Sequence, residues 1–148
     1  MSISWICKPF YALTPAELYA IMQLRNEVFV VEQACIFQDA DNNDQAAWHL
    51  MGWKNQRLAV YTRLLPSGIT YQEASIGRVV SSPKFRGLGY GIELMQNSIE
   101  KIYELWGRQP IRIGAQEYLL NFYKQFGFNA EGDTYMEDGI PHRKMLLS

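Results

Sequence analysis

A chain of 148 residues, 48% hydrophobic and 20% charged, has the composition of a globular protein and enough material to bury a core without metal or disulfides. Its net charge of −1 argues against a nucleic-acid binder, which is usually basic, and no apolar run approaches the ~20 residues that span a bilayer. The start lacks a charged-then-apolar secretion pattern, and Cys7 and Cys35 have neither metal nor redox spacing, so a cytoplasmic protein with reduced thiols, one domain over 1–148, is expected.

Residues 3–7 alternate as a first strand. Thr14-Pro15-Ala16-Glu17 then marks a helix start: the threonine caps, the proline presets φ, and the glutamate closes a capping box. Leu18, Ile21, Met22, Val28 and Phe29 follow at helical spacing and predict an apolar face, with Arg25 left out of it. The aspartate-rich stretch 38–44 invites a calcium reading. An EF-hand loop from Asp39 would need glycine and glutamate where Asp44 and Leu50 stand, so a solvated acidic loop and no metal site are expected. Residues 48–54 and 58–65 predict a hairpin turning at Asn55-Gln56.

The most informative stretch runs over 76–102. Ile76, Val79 and Val80 read as a strand that Ser81-Ser82-Pro83 ends, and Gly77 inside it predicts a bulge or close backbone approach. Ile92, Met95, Ile99, Ile102 and Trp106 form a helical stripe. Between them lie Gly87, Gly89 and Gly91, where a helix begins. Glycines there expose backbone N–H groups at the positive end of the helix dipole, and Lys84 and Arg86 add full charges, a setting suited to a diphosphate. The spelling is neither a Walker loop, since no Lys-Ser or Lys-Thr follows, nor the dinucleotide fingerprint, since the glycines are spaced two and two.

Beyond the helix, 111–115 predicts a short parallel strand, reached by a right-handed crossover. Residues 128–135 and 140–147 predict a closing hairpin with Asp138-Gly139 as its turn. The element order is strand, helix region, three strands, helix, strand, helix, two strands. It specifies an α/β (α+β) protein with a mixed sheet.

Arg86-x-x-Gly89-x-Gly91 after an apolar strand, with Gly114–Phe128 downstream, resembles the GNAT (Gcn5-related N-acetyltransferase) superfamily. Several blocks, among them Ile76-Gly77-Arg78-Val79 and Glu137-Asp138-Gly139-Ile140-Pro141-His142, are similar to its ElaA-like branch. The resemblance implies a mostly antiparallel sheet with a splayed parallel centre, flanked by helices. It implies acetyl-CoA as cosubstrate, no metal, and direct acetyl transfer to a primary amine on a small molecule or peptide. Cofactor contacts are then expected at Val79, Val80 and Ser81, across Arg86, Gly87, Leu88, Gly89, Tyr90, Gly91 and Ile92, and at Gln116, Asn121 and Tyr123. Tyr123 stands where the family has its general acid, and a phenol keeps its proton at neutral pH. The base is open among His49, Glu32, Glu73, Glu137, Asp138 and His142, with His142 and Glu32 as the leading candidates and water relays as the alternative. Trp48, Trp53 and Tyr135 are candidate pocket walls or core residues. A non-catalytic acyl-CoA sensor on the same fold is the alternative function. No nucleic-acid or membrane partner is expected, and oligomeric state is open, a homodimer included.

Overall fold

The computed structural model describes residues 3–148, and their strands join one seven-stranded sheet. Strand β1 (Ser4–Pro9) forms one edge. Thr14 caps α1 (Pro15–Arg25) through the expected box: its hydroxyl accepts from the Glu17 N–H, and the Glu17 carboxylate accepts from the Thr14 N–H. The helix then widens into a π-helical segment, Asn26–Glu32, a form that recurs at functional sites. Strands β2 (Trp48–Lys54) and β3 (Arg57–Leu65) make the expected hairpin. Asn55 and Gln56 both take positive φ, 51° and 63°, which matches the right-handed twist of the strands. Strand β4 (Ala74–Ser81), helix α2 (Tyr90–Trp106) and strand β5 (Ile111–Gln116) form the crossover unit. The short α3 (Leu120–Lys124) leads into the closing hairpin β6 (Asn129–Glu137) and β7 (Ile140–Leu147).

The strand order is β1-β2-β3-β4-β5-β7-β6, and every neighbouring pair but β4–β5 is antiparallel. The parallel pair holds through Ala74–Ile111 and Ser75–Arg112, after which the two strands part. Helix α2 closes one face of the sheet, with Leu94, Met95 and Ile102 packed on Leu64, Ile76, Ile113 and Met145. On the other face, α1 and the segment after it pack Ile21, Leu24 and Val28 against Met51, Tyr61 and Val80. The buried stripe of α2 is rotated from the one the spacing predicts, with Leu94 and Ser98 inside it and Ile92 outside. Ser98 there accepts a hydrogen bond from Thr62 and donates to the Leu94 carbonyl.

The acidic stretch is not solvated. Asp39 and Asp44 are buried, and Arg25, expected off the apolar face, is wholly enclosed at 0% exposure. Its guanidinium donates to Asp39 at 2.6 Å and to Asp44 at 2.7 Å. Arg63 on β3 donates to Asp44 and to both oxygens of Asp41. Aspartates that read as a solvated loop are therefore an internal charge network, because their counter-charges come from distant elements that local sequence does not reveal.

Candidate active site

Where β4 and β5 part, a cavity of about 700 Å³ opens between the two faces of the sheet. One wall is the second half of β4. Opposite Thr62 the strand carries two residues, Arg78 and Val79, because Tyr61 pairs with Val80 while Arg63 pairs with Gly77. The bulge anticipated from Gly77 thus exists, but the positive φ (50°) falls on Arg78. Val79, Val80 and Ser81 line the cavity beyond it.

A second wall is the turn into α2. Gly87 and Gly89 both sit at φ 80°, and a Cβ built on either meets nothing within 4 Å, so their bare backbone faces open space. Gly89 is the N-cap and supplies no side-chain acceptor to the first N–H groups of α2, which leaves those donors for a ligand. Arg86, Tyr90 and Gly91 also line this wall, whereas Leu88, Ile92 and Asn121 lie outside the lining, the first two with side chains in solvent. Gln116 closes the end of β5 and exchanges hydrogen bonds with the Gln33 amide at 3.2 and 3.3 Å.

Tyr123 enters from α3. It is 5% exposed, its ring is edge-on to Phe122 and Phe128, and its hydroxyl makes no hydrogen bond among the described residues. Burial pushes its phenol pKa well above the ordinary value, so the proton stays on.

The outer rim joins the π-helical segment to the β6–β7 turn. There the Cys35 thiol reaches the carbonyls of Gln33 and Asp138. His142 on β7 is buried and lines the cavity. Its Nδ1 lies 2.7 Å from the Ile140 carbonyl, which can only accept, so Nδ1 carries a hydrogen and donates to it. Nε2 is 3.4 Å from a Glu137 carboxylate oxygen. Glu32 also lines the cavity, in a two-pronged ion pair with Arg86 at 2.6 and 2.7 Å. Hydrogen bonding to that guanidinium lowers its pKa and makes it a poorer base.

Two candidate bases are elsewhere. His49 is buried between the Tyr61 hydroxyl and the Asp44 carbonyl, and burial lowers its pKa. Glu73 is paired with Arg112 outside the lining. Trp48 and Trp53 pack against the cores and Tyr135 against His142, and none of the three lines the cavity.

The sequence profile of the Acetyltransferase (GNAT) domain matches residues 21–148. The chain belongs to the GNAT acetyltransferase family. It is 42% identical to the protein ElaA of Escherichia coli (strain K12) over 142 residues, covering 95% of the chain and 93% of ElaA. Its fold superposes on an acyl-CoA N-acyltransferase from Pseudomonas aeruginosa with a TM-score of 0.94 at 42% identity, covering 99% of this chain and 100% of that one. A Bacillus subtilis acetyltransferase solved in complex with CoA shares the fold at 20% identity and a TM-score of 0.70, with 98% and 97% of the two chains covered.

The residues present fit a CoA thioester in shape and chemistry: bare glycine backbone at 87 and 89, helix-start N–H groups with no side-chain cap, and a cleft where β4 and β5 part. Phe29 and Gln33, on the segment that the resemblance puts beside the acceptor, also line the cavity, and so do Cys35 and Phe37, which were not legible as site residues. They sit on a π-helical segment and the loop after it, where no local spacing pattern points to a ligand. No helix among the described residues is long and apolar enough to cross a membrane.

Proposed function

We propose that residues 1–148 act as one cytoplasmic N-acetyltransferase domain that moves an acetyl group from acetyl-CoA directly to a primary amine. The observation that carries this reading is one continuous cavity that holds the glycine turn, the bulged half of β4, Tyr123 and His142 together. Acetyl-CoA supplies the activated thioester. The N–H groups at Gly89, Tyr90 and Gly91 bind its diphosphate, and the bulged backbone at Val79 and Val80 donates to the thioester carbonyl as negative charge develops on it. His142 Nε2 removes a proton from the ammonium form of the acceptor, with Glu137 stabilising the imidazolium. The Tyr123 hydroxyl donates to the departing sulfur, and the proton shed by the attacking nitrogen balances the one the thiolate gains. Glu137 and Asp138 at the rim favour a cationic amine, small or peptide-borne.

The test is a thermal-shift titration with acetyl-CoA, followed by a panel of amines assayed for CoA release. Acetyl-CoA at a hundred times its Kd should add roughly 2.7 kcal/mol of stability. Gly91→Glu should remove that gain while leaving the fold intact. Its new Cβ meets the Phe122 ring at an ordinary 3.6 Å, so the added carboxylate acts through charge. A folded Gly91→Glu that keeps the full gain sinks the diphosphate assignment. Tight acetyl-CoA binding without turnover of any amine makes the protein a sensor.

A further inference from the structure

The bulge in β4 is tied, through the cavity-lining Arg78, to residues outside the cavity lining. Arg78 is a β-strand arginine at φ 50°, a region that residues with a Cβ seldom occupy. The bulge puts this angle on Arg78 although Gly77, which would adopt it freely, stands next to it with ordinary φ. What Arg78 has is a set of acceptors. Its Nη2 donates to the Asp39 carbonyl at 3.0 Å and to the Asp41 carboxylate at 3.3 Å. Its Nε lies 2.8 Å from the Asp39 carboxylate, a charge contact out of line for a hydrogen bond.

Those acceptors are themselves fixed. Asp39 is clamped by the enclosed Arg25 of α1, and Asp41 by both arms of Arg63. Asp44 receives a bond from each of those arginines, and its carbonyl meets His49 on β2. The strand facing the bulge is equally anchored, since Thr62 is tied to Ser98 of α2. The network therefore spans α1, β2, β3 and the 39–44 loop, and it ends on Arg78, the positive-φ residue of the bulge.

We propose that Arg78, with Asp39 and Asp41, is a positioning device: the ion pairs hold Arg78 at positive φ and so fix the bulge that aims the Val79 and Val80 backbone at the acyl group. The inference rests on the reading of this cavity as an acetyl-transfer site. Arg78 is not a catalytic residue here. Its side chain acts on the backbone that follows it, and the backbone meets the thioester.

Arg78→Ala and Arg78→Gly separate this role from simple stabilisation. Both lose the ion pairs, but glycine takes positive φ without strain and alanine does not. One oxyanion donor contributes about 10²–10³-fold to kcat, so Arg78→Ala should lower kcat by tenfold or more, with KM for acetyl-CoA within about threefold. Arg78→Gly should recover most of that loss while its melting temperature stays as low as that of Arg78→Ala. Equal kcat in the two variants, whether both reduced or both intact, overturns the proposal.

A readout independent of turnover accompanies these. The ¹⁵N amide shifts of Val79 and Val80 should move in Arg78→Ala and stay near wild type in Arg78→Gly. If wild type turns over no amine but the shifts follow that order, the acetyl-transfer reading fails and the positioning stands. Shifts that are alike in both variants overturn the positioning. Should Arg78→Ala not fold, Asp41→Asn serves in its place, since it loosens the far end of the contact and leaves Arg78 itself unchanged. Displaced Val79 and Val80 amides in Asp41→Asn support the device, and wild-type shifts overturn it.

Discussion

Replacing Tyr123 by phenylalanine removes one oxygen from a side chain whose packing is otherwise complete. The ring lies 5.2 Å from Phe122 and 6.3 Å from Phe128, centroid to centroid, both in edge-on contact, and phenylalanine keeps these contacts. The hydroxyl has no partner among the described residues, so its loss leaves no buried group stranded. Stability should change by less than about 1 kcal/mol, a shift of no more than about 4 °C in melting temperature. Activity should respond on another scale. Proton donation by a positioned acid contributes ~10²–10⁴-fold, or about 2.7–5.4 kcal/mol at the transition state. The expectation is a fall of that order in kcat with KM and calorimetric Kd for acetyl-CoA little changed. Because burial raises the phenol pKa, the wild-type rate should show no loss through Tyr123 ionisation up to about pH 10. The assay is single-turnover CoA release with the best amine, beside wild type. An intact kcat where chemistry limits the rate refutes the general-acid role, and a loss confined to KM makes the hydroxyl a binding group only.

Arg25→Leu should destabilise the fold by about 3–5 kcal/mol in urea denaturation, because it strands the buried Asp39 and Asp44 carboxylates. A cost below 1 kcal/mol would mean that water or the other arginines replace it. Burial works against the charged Asp41, but hydrogen bonding and charge from Arg63, with a smaller part from Arg78, outweigh it and hold the pKa at about 2. Asp44 is also lowered: its burial is outweighed by Arg25 and Arg63. A depressed folded pKa stabilises above the unfolded value and is lost below it, so stability should be flat above about pH 5 and fall from pH 4 toward 2. The fall in unfolding free energy over that range should be visibly shallower in Asp41→Asn. Glu137→Gln with Asp138→Asn should raise KM several-fold for a cationic amine but not for a neutral one, with kcat lowered for both because Glu137 also supports His142, and an unchanged KM removes both from acceptor recognition.

Much of the architecture is local physics and was legible as such. The Thr14 cap, the Asn55-Gln56 and Asp138-Gly139 turns, and the glycine turn into α2 each follow from what one residue type permits at one backbone position. The observed turns obey them, with Asp138 and Gly139 at φ 52° and 78°. The glycine turn that lines the cavity was readable for the same reason, since bare backbone at a helix start needs only glycines at set spacing. The arrangement of charge was decided by tertiary structure. Arg25 reads as a polar interruption of an amphipathic helix, and the aspartates of 39–44 as solvated, until folding brings together groups 14 and 19 positions apart. The same holds for the bulge, which the sequence placed through Gly77 and the structure puts on Arg78. A glycine marks where the backbone is free to turn. Which residue turns is fixed by ion pairs whose partners lie on other elements, and that geometry exists only once the sheet has formed.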